Sequence, residues 1–392
     1  MLRDWSLTAW MTGFLAVLIS YSGPMVIFIQ AAHVGGISDE MLSSWIWAIS
    51  IGAGLSGIIL SVLLKAPIIT AWSAPGSALL LHLFPAITMP EVVGAYLTAA
   101  IITTIIALSG YFERIVKFVP QGIAAAMIAG ILFQFGIQAF LAASELPGVV
   151  MAMVAVYLLA RRFIPTFTVV LVAITGFACV VFLDLASLAD VKIALAQPIF
   201  TFPEFSLSVF FSFSIPLVVV SLTGQFLPGL VILRLDGYQQ PSRAIVGGTS
   251  FISIFTAFFG GISIVLAAIT AAICTGKESH PDPKKRYVAG IANGVFYLIG
   301  GTFAGTIVLL FNAIPSEVVA TLAGLALISA IVANIRLLSA NSDSIEPAVI
   351  TFLVTASNMS IAGLGSAFWG IMIGMAAYGI SNIKKGKIKN DS

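Results

Sequence analysis

The chain has 392 residues, 59% of them hydrophobic and 9% charged, with a net charge of +2 and a mean hydropathy of +1.10. That composition excludes an ordinary soluble domain and marks a polytopic membrane protein. The small net charge, with no basic run interleaved with aromatics, excludes a nucleic-acid partner, and Cys179 and Cys274, single residues in apolar segments, suit neither a metal nor a disulfide scaffold.

With a crossing taken as roughly 15 to 25 apolar residues between charged or Gly/Pro breaks, the chain reads as an all-α protein of fourteen transmembrane segments. The first, 6–30, is longer than a signal core and reads as an uncleaved span. Ser22 and Gln30 on it are candidates to hydrogen-bond a ligand, or to serve as packing glue between helices. The second is 42–64. The third, 66–84, holds Pro75-Gly76, where an uninterrupted helix wants neither residue. A break at membrane depth is tolerated only where it is buried in protein or lines a cavity, so this stretch points to a site. The β-branched run PIITAWS (67–73) suits an extended strand, and PGSALLLHLF starts a helix with Pro75 in its first turn. About six extended residues and ten helical ones reach roughly 35 Å, enough to cross the hydrocarbon.

The remaining spans are expected at 91–112, 118–141, 147–161, 164–184, 209–233, 243–259, 262–276, 287–311, 315–335, 345–357 and 361–383. The charge-free run from Ala244 to Gly276 is too long for one helix and is divided at Gly260-Gly261. With the N-terminus inside, alternate loops carry 17 of the 18 basic residues, Lys192 alone falling outside. Since lysine and arginine concentrate in cytoplasmic loops, both termini are expected in the cytoplasm of a bacterial-type inner (plasma) membrane.

The long external connection, 185–208, separates spans 1–7 (residues 1–184) from spans 8–14 (residues 209–392). VPQGIAAAMIAGIL from Val119 resembles IPSEVVATLAGLAL from Ile314, and SYSGPMVIFIQAA falls opposite SLTGQFLPGLVIL. A unit of seven crossings begins its second copy on the opposite face, which predicts a 7+7 inverted repeat. The same offset pairs span 3 with span 10, where SIVLAAI would be extended and TAAICTG helical, the turn falling at Ala268, Ile269 and Thr270. Short strands in segments 3 and 10 would then bring two half-helix N-termini together, at Ser73, Ala74, Pro75 and Gly76 on one side and Ala268 to Thr270 on the other. Their free N–H groups and positive dipole ends attract a carboxylate without a buried cation.

TAWSAPGSAL, AAITAAICTG followed by HPDPKKRY, and FLVTASNMSIAGLGSAFWG resemble the benzoate/proton symporter family, BenE, over essentially the whole chain. That family is similar in turn to the nucleobase/ascorbate transporter fold. The resemblance implies a core domain of spans 1–4 and 8–11, a gate domain of spans 5–7 and 12–14, a substrate held between the strands of spans 3 and 10, and a possible homodimer. The nucleobase branch resembles itself in carrying carboxylates on spans 8 and 10. Here those stretches read SLTGQFLPG and LAAITAA, with Gln225 the one strongly polar side chain. A pocket without fixed negative charge suits an anion, and Trp72, Phe226 and Ile269 are candidate walls for an aromatic ring.

No Asp or Glu sits centrally in a predicted span. His82, toward the outer end of span 3, is either a proton relay or a boundary histidine, and the proton could instead ride on the substrate carboxyl. HPDP (280–283) reads as a rigid turn in the basic inner loop. The expectation is proton-coupled uptake of a small aromatic carboxylate such as benzoate by alternating access, with no cofactor and no metal. Transport of another anion or a nucleobase, or a passive channel, are the alternatives. An enzyme is disfavoured, because no nucleophile, base and orienting group occur together at membrane depth.

Overall fold

The computed structural model describes residues 4–84, 86–185, 191–267, 270–340, 345–362 and 364–390. The first half holds α1 (Leu7–Ser22), α2 (Pro24–Val34), α3 (Asp39–Leu64), β1 (Thr70–Trp72), α4 (Ala74–Leu83), α5 (Met89–Ser109), α6 (Phe112–Phe118), α7 (Gln121–Leu141), α8 (Pro147–Phe163) and α9 (Thr168–Phe182). After an extended connection come α10 (Leu207–Val209), α11 (Ile215–Ser221), α12 (Leu227–Leu235), α13 (Ser242–Ala257), β2 (Ile264–Leu266) and α14 (Ala271–Thr275). The chain closes with α15 (Tyr287–Thr302), α16 (Ala304–Asn312), α17 (Ser316–Ser339), α18 (Ile345–Ala356) and α19 (Ser366–Asn390). Among the described residues, seven helical stretches are long and apolar enough to cross a membrane, or eight when the bent pair α15–α16 is counted.

Local chemistry accounts for the ends and the breaks. Ser38 caps α3 with Asp39 and Glu40 in the first turn, and Thr88 with Glu91 closes a capping box on α5. α5 stops at Gly110, at φ +74°. The span expected to be continuous from 6 to 30 is interrupted instead at Gly23-Pro24 and runs on to Val34. Pro24 has no N–H to continue the ladder and starts a new helix in its first turn. The stretch expected as the eighth span, Leu207–Leu235, departs from a simple helix in the same way. Its backbone slips to π-turns at Phe210–Ser214 and Leu222–Phe226, just before Pro216 and Pro228. Each proline removes one donor, and the wider turn absorbs the gap. The expected span 287–311 bends by 67° at Phe303, next to Gly300, Gly301 and Gly305.

β1 and β2 pair antiparallel, Thr70 with Leu266, Ala71 with Val265 and Trp72 with Ile264. The ladder is extended at both ends, by Ala267 N–H to the Ile69 carbonyl (2.8 Å) and Ser73 N–H to the Ser263 carbonyl (3.0 Å). Among described residues this is the one sheet, and it is buried in the middle of the molecule. α3 and α13 cradle it. Thr70 Oγ1 donates to the Ala53 carbonyl at 2.7 Å, and Ile264 N–H donates to Ser253 Oγ at 2.8 Å. At Gly52 an added Cβ would lie 2.9 Å from both Ile264 Cγ1 and Thr256 Cγ2, so only glycine lets α3 approach β2 this closely.

The connecting segment, described from 191, is fixed as a strap across one end of the bundle. Ala194 is held by Thr306, Ile199 N–H by Ser44 Oγ (2.8 Å), and Glu204 N–H by the Pro90 carbonyl (2.9 Å). His33, Asn312 and Asp39 form a hydrogen-bonded chain at the same end. The opposite, basic end gathers Asp4, Lys65, Tyr238 and the 276–287 loop: Tyr287 OH donates to Asp4, Lys65 Nζ lies 4.6 Å from the Tyr287 ring centroid, and Tyr238 OH donates to the Pro283 carbonyl.

Candidate substrate site at the strand crossing

α4 leaves the Trp72 end of β1 while α14 leaves the Leu266 end of β2, so the antiparallel register sets the two helix starts at opposite ends of one short ladder. The first turn of α4 is less open than the sequence suggests. Pro75 has no N–H, and that of Gly76 donates to Ser73 Oγ at 3.2 Å. Among the described residues, the first-turn donor without a partner is that of Ala74, which is half-buried, reinforced by the positive helix end. α14 has five residues, with Thr270 buried beside it; Ala268 and Ile269 lie outside the described residues.

The candidate wall residues divide by burial. Trp72 is 2% exposed, its ring stacked on Tyr21 (6.0 Å between centroids) and edge-on to Tyr297 (5.9 Å). Its Nε1, like the Tyr297 hydroxyl, is buried without a partner among the described residues. Tyr21 OH bonds Ser50 Oγ at 2.7 Å. Trp72 shares the face of β1 with Thr70, which points at α3, and Ala71 on the other face is partly buried. Phe226 is 1% exposed. Ser22, Gln30 and Gln225 are half-buried at the span-1 break, on α2 and in the second π-turn, and neither amide has a hydrogen-bond partner among the described residues. Gly76 sits against Leu217 and, at 2.9 Å from an added Cβ, Ile262 Cδ1, so its missing side chain makes room for a neighbouring span. His82 lies near the end of α4, away from the ladder.

Two close approaches join this region to the helices around it. An added Cβ at Gly23 would lie 3.1 Å from Ala326 Cβ of α17 and 3.4 Å from Val169 Cγ1 of α9. One at Gly224 would lie 2.6 Å from Ile128 Cδ1 of α7. The breaks in the first and eighth spans thus face the pair α17 and α7.

A cavity of about 370 Å³ lies at the strap end, between Leu79 and Leu83 of α4, Ser208 and Ser212 of the eighth span, Ile131 of α7 and the Asn358–Ser360 and Gly365–Ala367 stretches joining α18 to α19. Glu91 is its one titratable lining residue among those described. A second, of about 430 Å³, opens at the basic end between α1 and Phe167, with Glu278 at its rim. Both fall in the size range of small-molecule sites. The strand crossing, the span-1 break and the second π-turn carry no acidic or basic side chain, which suits an uncompensated anion better than a cation. Sequence reasoning passed over Tyr21 and Tyr297, whose contacts are long-range, and Glu91, which it placed only as a span boundary.

A family model described as "Benzoate membrane transport protein", BenE, matches residues 3–380. A benzoate membrane transport protein of Acinetobacter baylyi is 53% identical over 376 residues, covering 96% of this chain and 95% of the relative. The inner membrane protein YdcO of Escherichia coli is 34% identical over 373 residues, with 95% of each chain covered. Among solved structures, the murine Slc26a9 anion transporter in its inward-facing state superposes with a TM-score of 0.63 at 14% identity, over 98% of this chain and 69% of that one. The transmembrane domain of the cyanobacterial bicarbonate transporter BicA gives 0.56 at 12% identity, over 95% and 96%. At such identities these two establish a shared fold alone.

Proposed function

Because the chain belongs to the BenE family of benzoate membrane transport proteins, we propose that it is a secondary transporter that takes up benzoate or a similar aromatic carboxylate together with a proton. It is a multi-pass membrane transport protein, not an enzyme. The observation that carries the reading is the buried two-stranded ladder between two interrupted spans, with a helix starting at each end and no fixed charge beside it. The carboxylate would lie at the Ala74 N–H, within reach of Ser22, Gln30 and Gln225, with α14 starting at the far end of the ladder. The Trp72, Tyr21 and Tyr297 cluster would form the backing of β1, presenting the partly buried Ala71 to the ring.

The inverted-repeat reading with fourteen crossings is supported by exchange of packing partners. α3 packs along α15 while α13 packs along α5, which are the same pair of contacts with the halves interchanged, and α7 packs on α17, its own counterpart. Gly23 against α17 answers Gly224 against α7 in the same way. These contacts favour a core of spans 1–4 and 8–11 that slides against a gate of spans 5–7 and 12–14, exposing the site first to the cavity at the strap end and then to the cavity at the basic end. The basic end, with Lys65, Arg286 and the N-terminal Asp4 together, would be cytoplasmic, and the first cavity external. A dimer through the gate would keep that half still.

Purified protein in liposomes tests the reading. Labelled benzoate should accumulate under an inward pH gradient faster than in protein-free vesicles, saturate, and be blocked by substituted benzoates and not by uracil. Conduction without saturation would identify a channel, and block by uracil a nucleobase carrier.

A further inference from the structure

We propose that Glu91 loads the transported proton: it binds a proton from the outer solution when an anionic carboxylate enters the external cavity beside it, and passes that proton to the ligand. The inference rests on the reading of the protein as an aromatic-carboxylate transporter. Its starting point is the mismatch between Glu91's position and its role as a cap. In the capping box Thr88 N–H and Thr88 Oγ1 both donate to the same oxygen, Oε2, at 2.9 and 3.1 Å. The other oxygen, Oε1, has no hydrogen-bond partner among the described residues, although Glu91 lines the cavity of about 370 Å³ between α4, α7 and the eighth span. A serine-rich, otherwise uncharged wall surrounds it, including Ser206, Ser212 and Ser360.

Two carboxylates at close range in a partly desolvated cavity cannot both stay ionised cheaply, and a shared proton relieves the repulsion. Benzoate arriving in this cavity therefore raises the proton affinity of the Glu91–ligand pair. The proton comes from external water, moves with the ligand as the neutral acid, and leaves Glu91 as the carboxylate it was before. No acidic or basic group is then needed at the strand crossing, and none is present there. The groups facing Glu91 are few. Glu204 of the strap lines a neighbouring cavity of about 170 Å³ with it. The first turns of the eighth span and the α18–α19 link line these cavities with no titratable side chain among the described residues, and the one on α13, Arg243, is in that helix's first turn at the basic end. The His82 side chain lies outside the described residues.

Glu91→Gln separates this role from capping, because glutamine at the same helix position completes a capping box equally well. In liposomes the wild type should accumulate benzoate about tenfold per unit of imposed pH gradient, the limit for one proton per monoanion. The variant should melt at the same temperature, yet lose that accumulation. Solubilised wild type should take up a proton on binding benzoate, read with a pH dye, and the variant should not. Glu91→Asp, which keeps a carboxylate and weakens the cap, should stay coupled. Unchanged accumulation and proton uptake in Glu91→Gln would overturn the proposal, as would coupling lost in Glu91→Asp with its fold intact. Absence of benzoate transport by the wild type would instead remove the transport reading itself.

Discussion

Arg286 donates from Nη1 to the carbonyl of Thr275, the last residue of α14, at 2.7 Å. The same guanidinium donates from Nε to the His280 carbonyl at 2.7 Å and from Nη2 toward that of Pro281, and the residue is 5% exposed. A buried cation is thus neutralised by carbonyl dipoles at a helix C-terminus, where positive charge is favourable. The HPDP turn, expected from sequence to be rigid, is tied by this side chain to the end of α14. Arg286→Met should leave these carbonyls unsatisfied, at about 1–3 kcal/mol for each one that water cannot reach. We expect a clear fall in melting temperature and weaker benzoate binding. Arg286→Lys should recover only part of both, since one ammonium cannot span the fork's acceptors. Wild-type stability in the Met variant, followed by a thermal shift assay, would contradict this account.

Gly76 and Leu217 form a second close pair, with Ile262 alongside. Gly76→Ala should overpack the contact, at about 1–3 kcal/mol, and reduce transport by displacing α4 from the eighth span. The diagnostic is the double variant Gly76→Ala with Leu217→Ala. If packing is the reason for glycine, the double variant should recover uptake relative to Gly76→Ala alone, a non-additive result expected of touching residues. No recovery would return Gly76 to a direct role toward the ligand.

Much of the architecture could be read from the sequence because the bilayer leaves so few choices. Pro75-Gly76 in an apolar run demanded a break, and the β-branched run before it demanded extension; the structure has both, although each strand is only three residues long. The break at Gly23-Pro24 carries the same signal, but the run continues on both sides of it without a charged residue to mark a boundary. The π-turns were illegible for a different reason: a proline within a helix can kink it, end it or widen the preceding turn, and neighbouring spans decide which. At the site, residue types were readable and directions were not. Trp72 and Ala71 are adjacent in sequence, yet strand alternation turns Trp72 toward Tyr21 and Tyr297 and Ala71 to the other face, beside Val265. That direction depends on β2's register, fixed by residues nearly 200 positions away.

Gln225 lies in the second π-turn, half-buried and without a hydrogen-bond partner among the described residues. Gln225→Glu keeps its shape and adds a charge. If a carboxylate binds at the ladder, the added charge should weaken benzoate binding by about tenfold or more at neutral pH, equivalent to roughly 1.4 kcal/mol. The loss should shrink as pH falls, because protonating the new glutamate restores a neutral side chain. Isothermal titration at two pH values reads both effects, and equal affinity for the two proteins at neutral pH would place Gln225 outside the site.

Gly224 offers a test of motion separate from binding. Its added methyl would meet Ile128 Cδ1 at 2.6 Å, the flexible tip of a side chain and not backbone, so Gly224→Ala should fold after a small shift. The contact nevertheless joins the eighth span to α7, across the boundary at which the core is proposed to slide. A methyl wedged there should be tolerated in one resting position and resisted during passage to the other. We therefore expect Vmax to fall severalfold while equilibrium binding of benzoate changes by less than about twofold, a split that loss of a ligand contact would not give. Trimming the opposing tip with Ile128→Val should restore much of the rate in the same background. If binding and rate fall together and the second substitution restores neither, Gly224 shapes the pocket, and the sliding boundary does not run between these two spans.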